Sequence, residues 1–132
     1  MLTYSFRLKP RQDLFNEIER FVRDRNIEAG CVLCSVGSLA HAVIRLANRE
    51  FPSEIEGPLE IVSLTGTLST HGSHLHISIS DADGKTIGGH LVEGCTIYTT
   101  AEIVMAAFED VIYRRELLMD DSGYEELVVY PR

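Results

Sequence analysis

The 132-residue chain is long enough to bury a hydrophobic core without stabilising disulfide bonds or metal ions. We expect one compact domain spanning residues 1–132. Its 45% hydrophobic and 24% charged residues are typical of a soluble globular protein, and no apolar run is long enough to span a membrane. The net charge of −8 opposes DNA binding through the overall field of the protein, because phosphate neutralisation dominates nucleic-acid affinity.

The N-terminal segment predicts a strand followed by a helix. Leu2 to Leu8 alternate as a strand does, and an apolar stripe at helical spacing follows, formed by Leu14, Ile18, Phe21 and Val22. Residues 1–25 hold six basic residues against four acidic ones, which predicts either a modest basic face or a solvated helix with mixed charge pairs. The start lacks the order of a signal peptide, so we expect a cytoplasmic location.

The next segment predicts two strands and a loop. Cys31–Val36 is an apolar run typical of a buried strand, Gly37-Ser38 predicts a break, and Ala42–Leu46 alternates as a second strand. Glu50–Pro58, with two prolines and three glutamates, predicts a loop.

The three cysteines are predicted to be buried, inert thiols. Residues three apart on a strand face opposite ways, so Cys31 and Cys34 cannot share a metal ion or form an unstrained disulfide. Free cysteine packs as a small hydrophobic residue, and we expect the same of Cys95.

Strands dominate the rest of the chain. Leu59–Leu68 predicts a strand, a hairpin follows over residues 74–92, and the apolar residues 103–108 fit a helix and a fully covered strand equally well. Residues 120–123 predict a turn before a final strand at Leu127–Tyr130. The fold class predicted is α+β, with a mostly antiparallel sheet and one or two helices.

Three histidines lie in the predicted hairpin, and their faces depend on its register. Side chains two residues apart on a strand share a face, so His74 and His76 point the same way. Ala82-Asp83-Gly84 suits a three-residue loop closed by a left-handed glycine, which sets His76 opposite His90. A two-residue turn at Asp83-Gly84 would send His90 to the other face. We prefer the first register because it pairs apolar residues with apolar ones.

Three neutral imidazoles on a rigid sheet, with a coordination position left open, suit zinc or another divalent first-row metal. We therefore predict a metal site at His74, His76 and His90. Gly88 and Gly89 leave the backbone directly before His90 without side chains, which indicates a bulge or a close approach by a ligand or a partner subunit. The alternatives are solvent-facing polar positions on a half-buried strand, or histidines at a subunit interface.

Several motifs, in this order, resemble the plants-and-prokaryotes conserved (PPC) domain over nearly the whole chain. They are Gly37-Ser38-Leu39 with Ile44-Arg45-Leu46, the segment from Gly57 to Thr67, His74-Leu75-His76-Ile77-Ser78, Gly88-Gly89-His90-Leu91 and Thr100-Ala101-Glu102-Ile103. The resemblance implies a compact α+β domain assembled as a homotrimer. It also implies a metal site at the same three histidines.

The resemblance does not transfer the DNA-binding mode of plant members. In plants the domain accompanies AT-hook motifs in nuclear proteins, whereas free-standing prokaryotic members are named DNA-binding proteins by association. This chain has no Arg-Gly-Arg-Pro hook. It also has Gly57-Pro58-Leu59-Glu60-Ile61-Val62 where plant members carry Gly-Arg-Phe-Glu-Ile-Leu, so the arginine of that segment is missing.

Two functions from different classes follow. The first is a metal-binding homotrimer that contributes to DNA binding or transcriptional regulation through its basic N-terminal face or a partner. The second is an enzyme in which the metal activates water or polarises a small acidic or carbonyl substrate, with Glu102 as the catalytic carboxylate. Glu102 also fits a helix-capping or interface role. In a third interpretation, the metal is structural or the histidines only line a subunit junction.

Overall fold

The computed structural model describes residues 1–132, which form eight strands and one helix. The elements are β1 (Leu2–Leu8), α1 (Leu14–Asp24), β2 (Gly30–Arg45), β3 (Ser53–Leu68), β4 (His74–Ser80), β5 (Thr86–Leu91), β6 (Thr96–Ala107), β7 (Val111–Leu117) and β8 (Glu125–Pro131). All strand pairs are antiparallel, which confirms a mostly antiparallel α+β fold. The one helix has 11 residues and is too short to cross a membrane.

The main sheet curls on itself and closes part of its length into a ring. Its strand order is β1-β6-β2-β3-β4-β5, and β2 also pairs with β5 through Ile44–Leu91 and Arg45–His90. The side chains of Ile44 and Leu91 are fully buried inside the ring. Since neighbouring residues on a strand alternate between faces, Arg45 and His90 point outward. Strands β7 and β8 form a separate two-stranded sheet.

Helix α1 covers one side of the sheet through the predicted apolar stripe. Leu14, Ile18 and Val22 are buried, and Phe21 stacks on Phe6 of β1 with ring centroids 4.2 Å apart. Asp13 caps the helix, because its Oδ1 accepts a hydrogen bond from the Asn16 amide at 2.9 Å.

The predicted break at Gly37-Ser38 is wrong, because β2 runs on through these residues. The register of β2 against β6 shifts on either side of Leu39, so the glycine marks a bulge in one long strand. The prediction that Cys31–Val36 is buried throughout is also wrong. Leu33 and Val36 are 53% and 57% exposed, since the strand covers the core on one face only.

Two further segments are strands where the sequence favoured a loop or left the choice open. The predicted loop Glu50–Pro58 ends at residue 52, and Pro58 lies inside β3 beside the register shift between Leu39 and His41. A bulge tolerates proline because the ladder hydrogen bonds are already interrupted there. Residues 103–108 are not helical: Ile103 lies on β6, which is paired with β1 on one side and β2 on the other.

The prediction of three buried thiols holds for Cys95 alone. Cys34 is exposed and Cys31 is half-buried, because the outer face of β2 is open. Cys95 is fully buried, and burial raises the pKa of its thiol to about 11.

Candidate metal centre

The hairpin of β4 and β5 has the predicted three-residue loop. The Asp81 amide donates to the Lys85 carbonyl at 3.0 Å, and Gly84 closes the turn with φ of 78°. His76 is therefore paired with His90. The preferred register is confirmed.

The register brings the three predicted histidines into one cluster. The imidazole ring centroids of His74 and His76 lie 4.9 Å apart, those of His74 and His90 5.1 Å, and those of His76 and His90 5.8 Å. One ring nitrogen from each lies within 4.8 Å of the others. A zinc ion bound among these nitrogens would lie about 2.0–2.1 Å from each of them, and small rotations of the side chains would allow this.

Glycines on the strands beside the cluster let the backbones approach closely. Gly66 of β3 is paired with Leu75, the residue between His74 and His76 on β4. A Cβ added to Gly66 would stand 2.0 Å from the His74 carbonyl oxygen. A Cβ on Gly89 would stand 2.7 Å from the Arg45 carbonyl oxygen of β2. The close approach indicated by Gly88-Gly89 is thus made by strands of the same chain.

The environment of the cluster keeps two imidazoles neutral, which is the form that binds metal ions. The pKa of His90 is lowered to about 4, mainly by burial, and the neighbouring His74 and Arg45 contribute to the same shift. The pKa of His74 is also lowered, first by burial, then by His76 and Arg115.

The residues present fit a divalent metal ion. His90 Nδ1 is buried and has no hydrogen-bond partner, although a buried polar atom is normally paired. A metal ion would satisfy such an atom. Three imidazoles are a donor set for zinc and other borderline first-row ions.

A cleft of about 620 Å³ opens beside the cluster and includes His74 and His90 in its wall. The charged residues that line the cleft are Arg45, Arg49, Glu50, Arg115, Glu125 and Glu126. His74 and His76 also line a smaller concavity of about 180 Å³ over β3. The cluster can therefore be reached by small molecules from two sides.

Glu102 lies elsewhere on the sheet. It pairs with Arg7 of β1 and Val36 of β2, and strands β2 and β3 lie between β6 and β4, which carries His74. One chain alone does not bring Glu102 to the histidines. Its catalytic role stays a prediction.

Residues 1–109 match the family model described as the Plants and Prokaryotes Conserved (PCC) domain, the same family as the PPC resemblance. The chain belongs to this family. The PCC match includes all three histidines and ends before β7, so the C-terminal hairpin of β7 and β8 lies outside it.

The PCC chain is also similar to parts of longer curated proteins. It is 48% identical over 125 residues to the bifunctional protein GlmU of Synechococcus sp. strain JA-3-3Ab, and 45% identical over 128 residues to GlmU of strain JA-2-3B'a(2-13). The alignments cover 94% and 97% of this chain. The chain spans 20% of the length of each GlmU protein.

Solved structures share the whole PCC fold. A hypothetical protein from Salmonella cholerae-suis matches with TM-score 0.96 and 34% identity, covering 99% of this chain and 94% of its own. A metal-containing protein from Archaeoglobus fulgidus matches with TM-score 0.82 and 25% identity, covering 97% and 94%. A "putative DNA binding protein" from Bacteroides thetaiotaomicron has TM-score 0.83, covering 96% and 91%, but its 20% identity shows the fold alone.

Sequence reasoning missed the arginines beside the histidines. Arg45 is next to His90 only because the ring closes between β2 and β5. Arg115 donates a hydrogen bond to Thr67 Oγ1 at 2.8 Å, and Thr67 pairs with His74. Arg115 comes 41 positions after His74 in the sequence, and no local pattern indicates their proximity.

Proposed function

We propose that this PCC-domain protein binds one divalent first-row metal ion, zinc above all, through His74, His76 and His90. The observation that carries the proposal is the buried His90 Nδ1 without a partner, inside a cluster in which one ring nitrogen from each histidine lies within 4.8 Å of the others. The metal-containing Archaeoglobus protein of the same fold supports it.

The residues around the histidines define what such a centre can do. Three protein ligands leave a coordination position for water or a substrate, and a bound ion would supply Lewis-acid chemistry there. The chain itself fixes the rings on paired strands and keeps His90 neutral through burial. The cleft gives a small molecule access to the open position.

Elemental analysis of the purified protein tests this proposal directly. We expect one zinc ion per chain in the wild type after zinc addition and dialysis, and none in His76→Ala. His41→Ala is the matched control, because His41 lies outside the cluster beside Glu54 and Glu56. Wild-type protein without metal, or metal retained in His76→Ala, would overturn the metal centre.

We also propose a homotrimer, as the family resemblance implies. Large apolar side chains are exposed on three adjacent strands of the main sheet: Leu33 and Val36 on β2, Val62 on β3 and Tyr98 on β6. A second subunit that covers this face would remove them from water. Light scattering should give three times the chain mass for the wild type and a lower mass for Val36→Glu.

DNA binding is the weaker candidate for this geometry. Of the N-terminal basic residues, Arg20 pairs with Glu17, Arg7 donates to Thr100 Oγ1, and Arg25 lies over the Phe21 ring. The Arg20–Glu17 pair fits a solvated helix with mixed charge pairs, and all three arginines already have partners within the chain. If DNA binding operates, affinity must be measurable at about 50 mM salt and fall steeply as salt rises.

An enzymatic role rests on the same metal. If the ion activates water or polarises a carbonyl group, His76→Ala must lose metal and turnover together. Turnover retained in metal-free protein would exclude this mechanism. Glu102→Gln tests the catalytic carboxylate, since a catalytic role requires lower turnover with unchanged metal content.

A further inference from the structure

Two arginines stand beside the histidine cluster, an unusual setting for a cation site. Arg45 is the strand partner of His90. Arg115 is held over β3 by its hydrogen bond to Thr67, the strand partner of His74. Both arginines line the same cleft as His74 and His90.

The charged residues of the cleft favour an anion once a metal ion is bound. Three arginines and three glutamates line the cleft, so their charges balance: Arg45, Arg49, Arg115, Glu50, Glu125 and Glu126. Glu126 also accepts a hydrogen bond from Ser122 at 3.1 Å. A bound dication would leave the cleft with a net positive charge, and a ligand with a negative charge would compensate it.

We propose that the cleft binds a small molecule carrying an oxyanion, a carboxylate or a phosphate, which ligates the metal and pairs with Arg45 and Arg115. Guanidinium groups match such oxyanions because their N–H donors form paired, charge-assisted hydrogen bonds. The inference rests on the proposed metal centre and assigns the ligand class of its open position.

The dimensions and the lining of the cleft agree with a polar metabolite. Its volume of about 620 Å³ lies within the range of small-molecule sites. Tyr124 is the one hydrophobic residue among the eleven that line it. A largely apolar ligand would leave the charged walls unpaired, which costs free energy.

The C-terminal hairpin supplies one wall of this cleft. Arg115 comes from β7, while Tyr124, Glu125 and Glu126 come from the turn and the start of β8. These residues lie outside the family match, which ends at residue 109. The hairpin therefore supplies part of the proposed ligand site from outside the family match.

Cobalt-substituted protein gives a direct test, because Co²⁺ replaces zinc in such sites and its visible absorption reports the coordination shell. Acetate, and inorganic phosphate in a parallel series, are titrated into the full-length protein. We expect a saturable spectral change with at least one anion. Arg45→Gln and Arg115→Gln should each weaken the affinity about tenfold or more, whereas Arg114→Gln, exposed on the same strand, should not.

Cobalt stoichiometry, measured on every variant, separates the two proposals. A response to acetate assigns a carboxylate ligand, and a response to phosphate alone assigns a phosphate ligand. This inference is overturned, with the metal centre intact, if cobalt-loaded protein responds to neither anion, or if both arginine variants bind the anion with the affinity of the wild type. Protein that takes up no cobalt overturns both.

Discussion

At the scale of single residues, what surrounds a side chain decides its chemistry. His90 and Cys95 lie on or beside the same hairpin, and burial acts on both. It keeps the imidazole neutral by lowering its pKa, and it keeps the thiol neutral by raising its pKa. The first effect suits His90 to the proposed metal site, and the second makes the thiol inert.

Thiol labelling should distinguish the three cysteines. We expect Cys34 to react rapidly with a disulfide reagent at pH 8, Cys31 more slowly, and Cys95 only after unfolding, because its pKa of about 11 leaves almost no thiolate. Counting thiols by absorbance in native and denatured protein checks this. Three fast-reacting thiols in native protein would contradict the burial of Cys95.

Gly66→Ala should weaken the proposed metal centre without replacing any of its three histidines. Gly66 has φ of 150°, and an added Cβ would meet the His74 carbonyl oxygen at 2.0 Å, so β3 must move away from β4. We expect a loss of stability of about 1–3 kcal/mol and weaker zinc binding, measured by thermal denaturation and by zinc titration.

Gly123→Ala is the matched control for this change. Gly123 also has positive φ, 87°, but has open space around its Cα. It should lose stability through backbone strain and keep the zinc affinity of the wild type. Equal effects of both variants on zinc binding would contradict the role of Gly66.

At the scale of elements, the hairpin shows how a turn positions a site. The three-residue loop sets the register, and the register alone decides whether His90 joins His76 or faces the core. The helix is positioned by the side chain of a single residue, Asp13. Asp13 caps α1 and also accepts a hydrogen bond from the Gly94 amide at 2.7 Å, so one carboxylate joins the helix to the loop after β5.

Asp13→Ala should lower the free energy of unfolding by more than the loss of a helix cap alone would. The cap is worth about 0.5–2 kcal/mol, and the part-buried Gly94 amide would also lose its partner. Urea denaturation should show a free energy of unfolding lower by about 2–4 kcal/mol. Asp24→Ala, at the exposed end of the same helix, should change it by less than about 0.5 kcal/mol.

At the scale of the whole molecule, closure of the sheet brings distant segments to one site. The pairing of β2 with β5 sets Arg45 beside His90, and β7 reaches back to Thr67 of β3. The proposed metal centre therefore lies on paired strands of the main sheet and not on a loop. Metal binding should consequently stabilise the entire fold.

Zinc should raise the melting temperature of the wild type. A ligand at 100 times its Kd stabilises the native state by about 2.7 kcal/mol, which corresponds to about 10 °C for a chain of this size. His76→Ala should show no zinc-dependent shift, and His41→Ala should behave like the wild type. A shift retained in His76→Ala would place the ion elsewhere.

Much of the fold and of the candidate site could be predicted from local patterns. The alternation in Leu2–Leu8, the apolar stripe of α1 and the turn at Ala82–Gly84 are all short-range features, and the structure has each of them. The predictions failed in β2, where a bulge replaced the expected break at Gly37. A bulge and a turn use the same residues, and pairing with neighbouring strands decides between them.

The sequence by itself determined the α+β class, the register of the histidine hairpin and the shared face of His74, His76 and His90, because period-two alternation and turn geometry act within a few residues. Only the tertiary structure decided that Arg45 and Arg115 flank these histidines and that Glu102 lies three strands from β4. Those relations depend on ring closure and on docking of the C-terminal hairpin. Both are long-range contacts that no local pattern encodes.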